Sequence, residues 1–177
     1  MDARRGSEPV TVERTSDREV VVTRTFDAPA RLVFEAWTRP ELFRQWWLPK
    51  SMGMTLHACE MDVRVGGRYR LNFGPGADFF GRYLEVTPPS RLSWTNEEGG
   101  EDGSITTVTL DERDGRTQVT VHELYPSKEA LDAAGLGAQE AMRDVRAARR
   151  TAPHARSVIP CGAGSPLVTH RPPGRFA

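Results

Sequence analysis

The side chains that could bind a ligand lie on short stretches of sequence with strand-like alternation. Tyr69, Leu71 and Phe73 are two positions apart, and side chains at this spacing share one face of a strand. Side chains on one strand face could line a binding site together. The residues that we expect to line such a site are Trp46, Tyr69, Phe73, Trp94 and His122.

Two of these residues have a second interpretation. His122, predicted on one face with Thr120 and Leu124, either points a polar group into a cavity or is a hydrogen-bonded histidine at the sheet edge. Trp46 and its neighbour Trp47 either form a pocket wall or fill the core. No residue is predicted to be catalytic.

Motifs for several kinds of chemistry are absent from the sequence. It contains no glycine-rich phosphate loop, no nucleophile elbow and no histidines at metal-ligand spacing. The two cysteines, Cys59 and Cys161, have no paired spacing, which favours neither a disulfide framework nor a zinc site. We therefore expect no metal and no cofactor, and a reducing compartment.

The composition predicts one soluble globular domain. The 177 residues are 38% apolar and 27% charged, with a mean hydropathy of −0.52. No apolar run has membrane-spanning length, so we expect a cytoplasmic protein without membrane insertion. The residues after Met142 carry a net charge of +6 and the preceding part −6. This basic tail could bind nucleic acid or an anionic membrane, but it lacks interleaved aromatics and amphipathic order, and we expect no nucleic-acid partner.

Local patterns predict the elements that must position these side chains. A strand over 19–25 precedes a helix that starts at Pro29, and a capping box from Thr38 to Glu41 opens a second short helix. Ser127 is placed to cap a third helix that begins at Lys128. Asp114-Gly115 indicates a tight hairpin. Six further strands are predicted over 54–63, 68–73, 79–86, 92–96, 104–111 and 117–124.

Several sequence motifs resemble those of one protein family. They are Phe26-Asp27-Ala28-Pro29, the run from Val33 to Thr38, Trp46-Trp47-Leu48-Pro49, the run from Asp62 to Tyr69, and the run from Gly81 to Val86. Over residues 19–142 the chain is similar to START-like (SRPBCC) proteins of the branch related to the C-terminal domain of activators of the heat-shock-protein-90 ATPase. The resemblance implies an α+β helix-grip fold. In that fold a curved antiparallel sheet of about seven strands carries two short helices after strand 1, and a C-terminal helix packs across the sheet over a ligand cavity.

The resemblance divides the chain into three segments. They are a disordered N-terminal segment over 1–17, the helix-grip domain over 18–143 and an irregular basic tail over 144–177. Family members are expected to continue the last helix with a stretch like Thr-Phe-Glu-Gln-Leu-Asp, which the codons for residues 144–150 can encode in a shifted frame. We therefore hypothesise that the tail is a frameshift product.

The resemblance, together with the aromatic strand positions, implies three possible functions. The first is binding of a small hydrophobic or amphipathic molecule in the cavity between the sheet and the C-terminal helix. The second is a cyclase or hydrolase acting in the same cavity, for which His122 would be the polar group. The third, implied by the resemblance alone, is activation of a chaperone ATPase through a chaperone partner.

Overall fold

A computed structural model describes residues 10–47, 55–100 and 103–134. These residues form eight β-strands and three α-helices, so the α+β class is confirmed. In chain order the elements are β1 (Thr11–Arg14), β2 (Glu19–Phe26), α1 (Ala30–Thr38), α2 (Pro40–Phe43), β3 (Ala58–Met61), β4 (Arg68–Asn72), β5 (Asp78–Thr87), β6 (Arg91–Thr95), β7 (Ile105–Arg113), β8 (Arg116–Leu124) and α3 (Lys128–Ala134).

All eight strands belong to one antiparallel sheet. Their order across the sheet is β1-β2-β8-β7-β6-β5-β4-β3, so β2 pairs with the last strand and the two helices α1 and α2 bridge the sheet to β3. The predicted hairpin between β7 and β8 is confirmed, since Asp114 and Gly115 both have positive φ, 53° and 72°. Two such residues in succession form the tight turn whose twist matches that of the strands.

One face of the sheet, here called the inner face, carries the core. Alternate residues of β2 and β8 are buried, among them Val22 and its cross-strand partner Val121. The row continues through Val108 on β7 and Leu92 on β6, which are 0% and 1% exposed. The apolar residues of α1 pack against this face, so burial of the inner face is what fixes the register of the strands.

Helix α1 is capped from a distant strand. Pro29 occupies the N-cap position and offers no side-chain cap, and the amide N–H of Ala30 instead donates to Oε2 of Glu112 on β7 at 2.7 Å. A carboxylate there also interacts favourably with the positive end of the helix dipole. The same contact therefore caps α1 and holds its first turn to β7.

The predicted capping box between α1 and α2 is wrong. The Thr38 hydroxyl donates to the carbonyl oxygen of Phe34 at 2.8 Å, so it closes the last turn of α1. Arg39 stands at the N-cap of α2 without a side-chain cap. Pro40 follows at the first turn, where its missing N–H is tolerated.

Helix α3 begins at Lys128 as predicted, with the Ser127 hydroxyl accepting from the amide N–H of Ala130 at 3.1 Å. Leu131 is 5% exposed and joins the core. Asp132 accepts from Arg14 of β1 at 2.7 Å, which ties the helix to the edge of the sheet. The basic tail over 144–177 and the proposed frameshift lie outside the described residues.

The prediction of disorder over 1–17 is wrong at β1, which lies within that segment. This additional strand makes the strand count eight rather than seven. Val12 of β1 pairs with Val22 of β2 and extends the apolar row of the inner face. Four residues are too few for alternation to stand out in the sequence. None of the helices within the described ranges is long and apolar enough to cross a membrane.

Candidate functional site

A cleft lined by aromatic side chains opens between the α1–α2 segment and the inner face of β3 to β6. We call it the aromatic cleft. The space between its walls is about 40 Å³. The side chains that line it are those of Trp37, Phe43, Trp47, Met61, Tyr69, Leu71, Phe79, Tyr83, Trp94 and Asn96.

The helical wall of the cleft is a cluster of edge-on and stacked rings. Trp37 meets Trp46 edge-on with ring centroids 4.7 Å apart, and Phe43 stacks on Trp47 at 4.7 Å. The turn after α2 brings these rings together, since the amide N–H of Trp47 donates to the carbonyl oxygen of Phe43 at 3.0 Å. Pairs in these geometries add stability beyond their buried area, which makes this wall a firm surface.

The opposite wall comes from three neighbouring strands. Tyr83 of β5 pairs directly with Trp94 of β6, and their rings lie 6.4 Å apart. The ring centroid of Tyr69 on β4 lies 6.0 Å from that of Tyr83. The ring centroid of Trp37, from the helical wall, lies 6.0 Å from that of Trp94. The two walls therefore meet at the Trp37–Trp94 contact.

Asn96, directly after β6, organises the polar atoms of the cleft. Its Oδ1 accepts from the Trp94 indole N–H at 3.2 Å and from the Tyr69 hydroxyl at 2.9 Å. Its Nδ2 donates to the hydroxyls of Ser104 at 3.0 Å and Thr106 at 2.9 Å. An amide offers two acceptor sites and two donor hydrogens, so Asn96 is saturated by the protein itself.

Gly81 lets β5 approach β6 at this point. A Cβ at this position would lie 1.8 Å from the carbonyl oxygen of Thr95 and 3.0 Å from the ring of Tyr69. That carbonyl also shares the Tyr69 hydroxyl hydrogen with Asn96, at 3.0 Å. The absence of a side chain at Gly81 is therefore what allows Tyr69 to reach its partners.

Burial shifts the titration of the groups around the cleft. The pKa of Tyr69 is raised by burial and by the nearby carboxylate of Glu98. The pKa of Tyr83 is raised by burial and by Cys59 and Asp62. Burial also raises the pKa of Cys59, against the opposing effect of Arg44. Both tyrosines are therefore neutral hydroxyls at physiological pH.

A partly buried carboxylate lies further along the inner face. Glu123 of β8 stands opposite Thr106 and Val20, and its Oε2 accepts from the Tyr125 hydroxyl at 2.8 Å. Burial raises the pKa of Glu123, and the Tyr125 hydrogen bond and His122 oppose that rise. Thr106 links this carboxylate's neighbourhood to the polar atoms of the cleft through Asn96.

The structure brings together two of the five predicted site residues, Tyr69 and Trp94. Trp46 instead belongs to the core, because it is 5% exposed and its indole N–H donates to the carbonyl oxygen of Ala36 at 2.9 Å. Phe73 contacts Phe79 with ring centroids 5.4 Å apart, at the side of the cleft rather than in its lining.

The predicted orientation of Thr120, His122 and Leu124 is wrong. The buried residues of β8 are Thr117, Val119 and Val121, and alternation puts His122 on the opposite face. There its Nε2 lies 3.3 Å from Oε1 of Glu19, and both side chains are about one-third exposed. His122 is therefore not a polar group of the cleft.

Several lining residues were missed by the sequence reasoning. Phe79 and Tyr83 stand on the same face of β5, as Tyr69 and Leu71 do on β4, so the same rule would have found them. Asn96 lies two positions after Trp94 in the strand predicted over 92–96, so the same rule places it on this face, but it was not included among the predicted site residues. Trp37 lies in the run from Val33 to Thr38 that carries the family resemblance, but it was not assigned to a site.

The comparisons with known proteins agree with this architecture. The sequence profile of activator of Hsp90 ATPase homolog 1-like proteins matches residues 27–147. No functionally curated protein matches the sequence.

Three solved structures illustrate the likeness. A Rhodobacter sphaeroides protein is 23% identical with a TM-score of 0.65, covering 80% of this chain and 93% of its own. A Mycobacterium smegmatis protein is 27% identical with a TM-score of 0.64, over 77% and 92%. A Plasmodium falciparum protein described as an HSP90 activator is 19% identical with a TM-score of 0.54, over 70% and 89%. These likenesses confirm the helix-grip fold, and the profile match shows that the chain belongs to the family of activator of Hsp90 ATPase homolog 1-like proteins.

Proposed function

We propose that the protein binds a small hydrophobic or amphipathic molecule in the aromatic cleft. The observation that carries the proposal is a set of large apolar side chains gathered around a space that opens at Phe79, which is 45% exposed. Large exposed aromatics next to a concave apolar surface are typical of binding sites.

The size of the space limits the ligand. About 40 Å³ accommodates only a few water molecules, since one water needs roughly 10–15 Å³ measured in this way. Phe79 is exposed and Trp47 is one of the half-buried members of the lining, and these are the two side chains that we expect to move apart. A molecule of one or two rings is the size that such a movement admits.

The tryptophans provide the test. All four tryptophans of the chain, residues 37, 46, 47 and 94, lie in or directly behind the cleft, so their fluorescence reports on this region alone. We expect a panel of one- and two-ring compounds to change the emission saturably, and Trp47→Ala to weaken binding. Native mass spectrometry of the purified protein tests for a retained ligand. Absence of both a retained ligand and any saturable response would contradict the proposal.

Activation of a chaperone ATPase is a second candidate. The family and the likeness to the Plasmodium falciparum protein favour it. So does an exposed apolar surface at Phe80, Leu84 and Val65, which are 41%, 42% and 64% exposed. Phe80 lies on the opposite face of β5 from the cleft. If this surface docks on a chaperone, Phe80→Ser abolishes a stimulation of chaperone ATPase turnover that Trp47→Ala retains; no stimulation by the wild-type chain rejects this candidate.

A further inference from the structure

We propose that the hydroxyl of Tyr83 is the polar anchor of the aromatic cleft and that the ligand is a neutral ring compound with one hydrogen-bond acceptor, such as a ketone or ether oxygen. This inference rests on the proposed binding function and specifies the chemistry of the ligand.

The other deeply buried polar groups of the cleft are already occupied. The Tyr69 hydroxyl hydrogen is shared by Asn96 at 2.9 Å and Thr95 at 3.0 Å. The Trp94 indole N–H donates to Asn96 at 3.2 Å, and the two donor hydrogens of Asn96 point to Ser104 and Thr106. A ligand could use these groups only by breaking bonds that the protein makes to itself.

Tyr83 differs from these residues. Its side chain lines the cleft and the residue is 4% exposed, and its hydroxyl makes no hydrogen bond to any part of the chain that the structure describes. The ring is held between Tyr69 and Trp94 at centroid distances of 6.0 and 6.4 Å. The hydroxyl oxygen is not fully shut off from the cleft, so it can reach a molecule bound there, and a ligand acceptor would supply the hydrogen bond that the described part of the protein does not.

The indole N–H groups of Trp37 and Trp47 are weaker candidates for the anchor. Both residues are only partly buried, so water can serve their donors in the free protein and a ligand would gain less from replacing it. A hydrogen bond from Tyr83 to a ligand acceptor should therefore stabilise the complex more than one from either indole N–H.

The electrostatics of the cleft favour a neutral ligand. None of its ten lining residues is charged, and a charged group placed there would lose its hydration without gaining a counter-ion. Just outside the lining, Glu98 and Glu97 contribute to the raised pKa of Tyr69, after the larger effect of burial, so an anion would also be repelled. Burial keeps the Tyr83 hydroxyl protonated, which leaves it able to donate to an acceptor.

Two probes of nearly the same shape test the inference. Acetophenone carries a ketone oxygen where isopropylbenzene carries a methyl group, so a hydroxyl donor can distinguish them. Dissociation constants for both are measured by tryptophan fluorescence on the wild type, Tyr83→Phe and Tyr125→Phe. We expect Tyr83→Phe to weaken acetophenone binding about three- to tenfold relative to isopropylbenzene, the effect of one neutral hydrogen bond. Tyr125→Phe is the matched control, because the hydroxyl it removes lies outside the cleft lining and donates to Glu123, and it should leave the ratio of the two affinities as in the wild type.

The outcomes separate the two proposals. If both probes bind and Tyr83→Phe leaves the affinity ratio unchanged, the anchor is wrong and the cleft still binds apolar molecules. An equal change of the ratio in Tyr125→Phe would also overturn the assignment to Tyr83. If neither probe binds any of the three proteins, the proposed function fails together with the anchor.

Discussion

The hydroxyl of Tyr69 lies 2.9 Å from Oδ1 of Asn96, and this hydrogen bond joins β4 to the end of β6 across the intervening strand β5. The same oxygen accepts from Trp94, so one amide fixes two of the rings that form the sheet wall of the cleft. Stability and the shape of the site therefore depend on the same residue.

Replacing Asn96 by alanine should lower the free energy of unfolding by about 2–4 kcal/mol. The reason is that the indole N–H of Trp94 loses its acceptor and the hydroxyl of Thr106 loses its donor. Urea unfolding followed by fluorescence measures this loss. Tyr69→Phe removes one hydroxyl only and should cost about 1 kcal/mol. In the double variant the two effects should not add, since the residues share a bond. An Asn96→Ala variant no less stable than Tyr69→Phe would refute the central role of Asn96.

Gly81→Ala should destabilise the protein strongly. The new Cβ would overlap the carbonyl oxygen of Thr95 at 1.8 Å, and the backbone of β5 or β6 must move to relieve the overlap. Thermal unfolding checks this. Gly99→Ala is the matched control, because nothing lies within 4 Å of a Cβ there and its melting temperature should stay near that of the wild type. Equal melting temperatures for the two variants would contradict the close approach.

Glu123→Gln should stabilise the protein at alkaline pH. Burial raises the pKa of Glu123 in the folded state, so the folded protein binds a proton more readily than the unfolded chain. Stability therefore falls as pH rises from the ordinary carboxyl pKa, about 4.3, to the raised one, and the loss persists above it. The amide variant avoids this loss, and its advantage should vanish near pH 4. Unfolding in urea at pH 4 and pH 8 measures both.

Glu129→Gln should have the opposite effect on stability at alkaline pH and serves as the control for Glu123→Gln. The pKa of Glu129 is lowered by hydrogen bonds from its own backbone and from Ser127 at the start of α3. Its carboxylate therefore contributes stability above the ordinary carboxyl pKa, and that contribution is lost as pH falls. The variant should be less stable than the wild type at pH 8 and equal to it in acid. A gain for Glu129→Gln, or a loss for Glu123→Gln, at pH 8 would reverse the interpretation of these two sites.

Glu112→Ala should lower the free energy of unfolding by about 1 kcal/mol, which is typical for loss of a helix cap. The reason is that Ala30 at the start of α1 loses its acceptor at 2.7 Å. Glu35→Ala, which removes an exposed pair with Arg31 on the same helix, should cost no more than about 0.5 kcal/mol. The comparison by urea unfolding would count against the cap if the two losses were equal.

Local signals in the sequence predicted much of the fold. Glycine and proline punctuation placed six strands within a few residues of β3 to β8, the Asp114-Gly115 pair predicted the hairpin, and Ser127 predicted the start of α3. Asp62 and Arg64, two residues apart, also form an ion pair at 2.9 Å. Each of these features depends on residues close together in the chain.

The features that were missed depend on distant residues. The acceptor for the first turn of α1 is Glu112, 82 positions away. The face to which His122 points depends on the register of β8 against β2, which one residue of slip would invert. The register of β5 against β6 shifts between Tyr83, which pairs with Trp94, and Glu85. A bulge of this kind breaks the simple alternation on which strand patterns rely.

The two edge strands of the sheet, β1 and β3, are very short, with four residues each. Strand β5 in the interior has ten. Each edge strand also carries a charged residue in its exposed positions, Glu13 and Glu60. A short charged edge strand offers few free backbone groups to a strand of another molecule. These features protect the eight-stranded sheet against edge-to-edge pairing with other molecules. Aggregation should first appear in variants that lengthen either edge strand or remove the charge of Glu13 or Glu60.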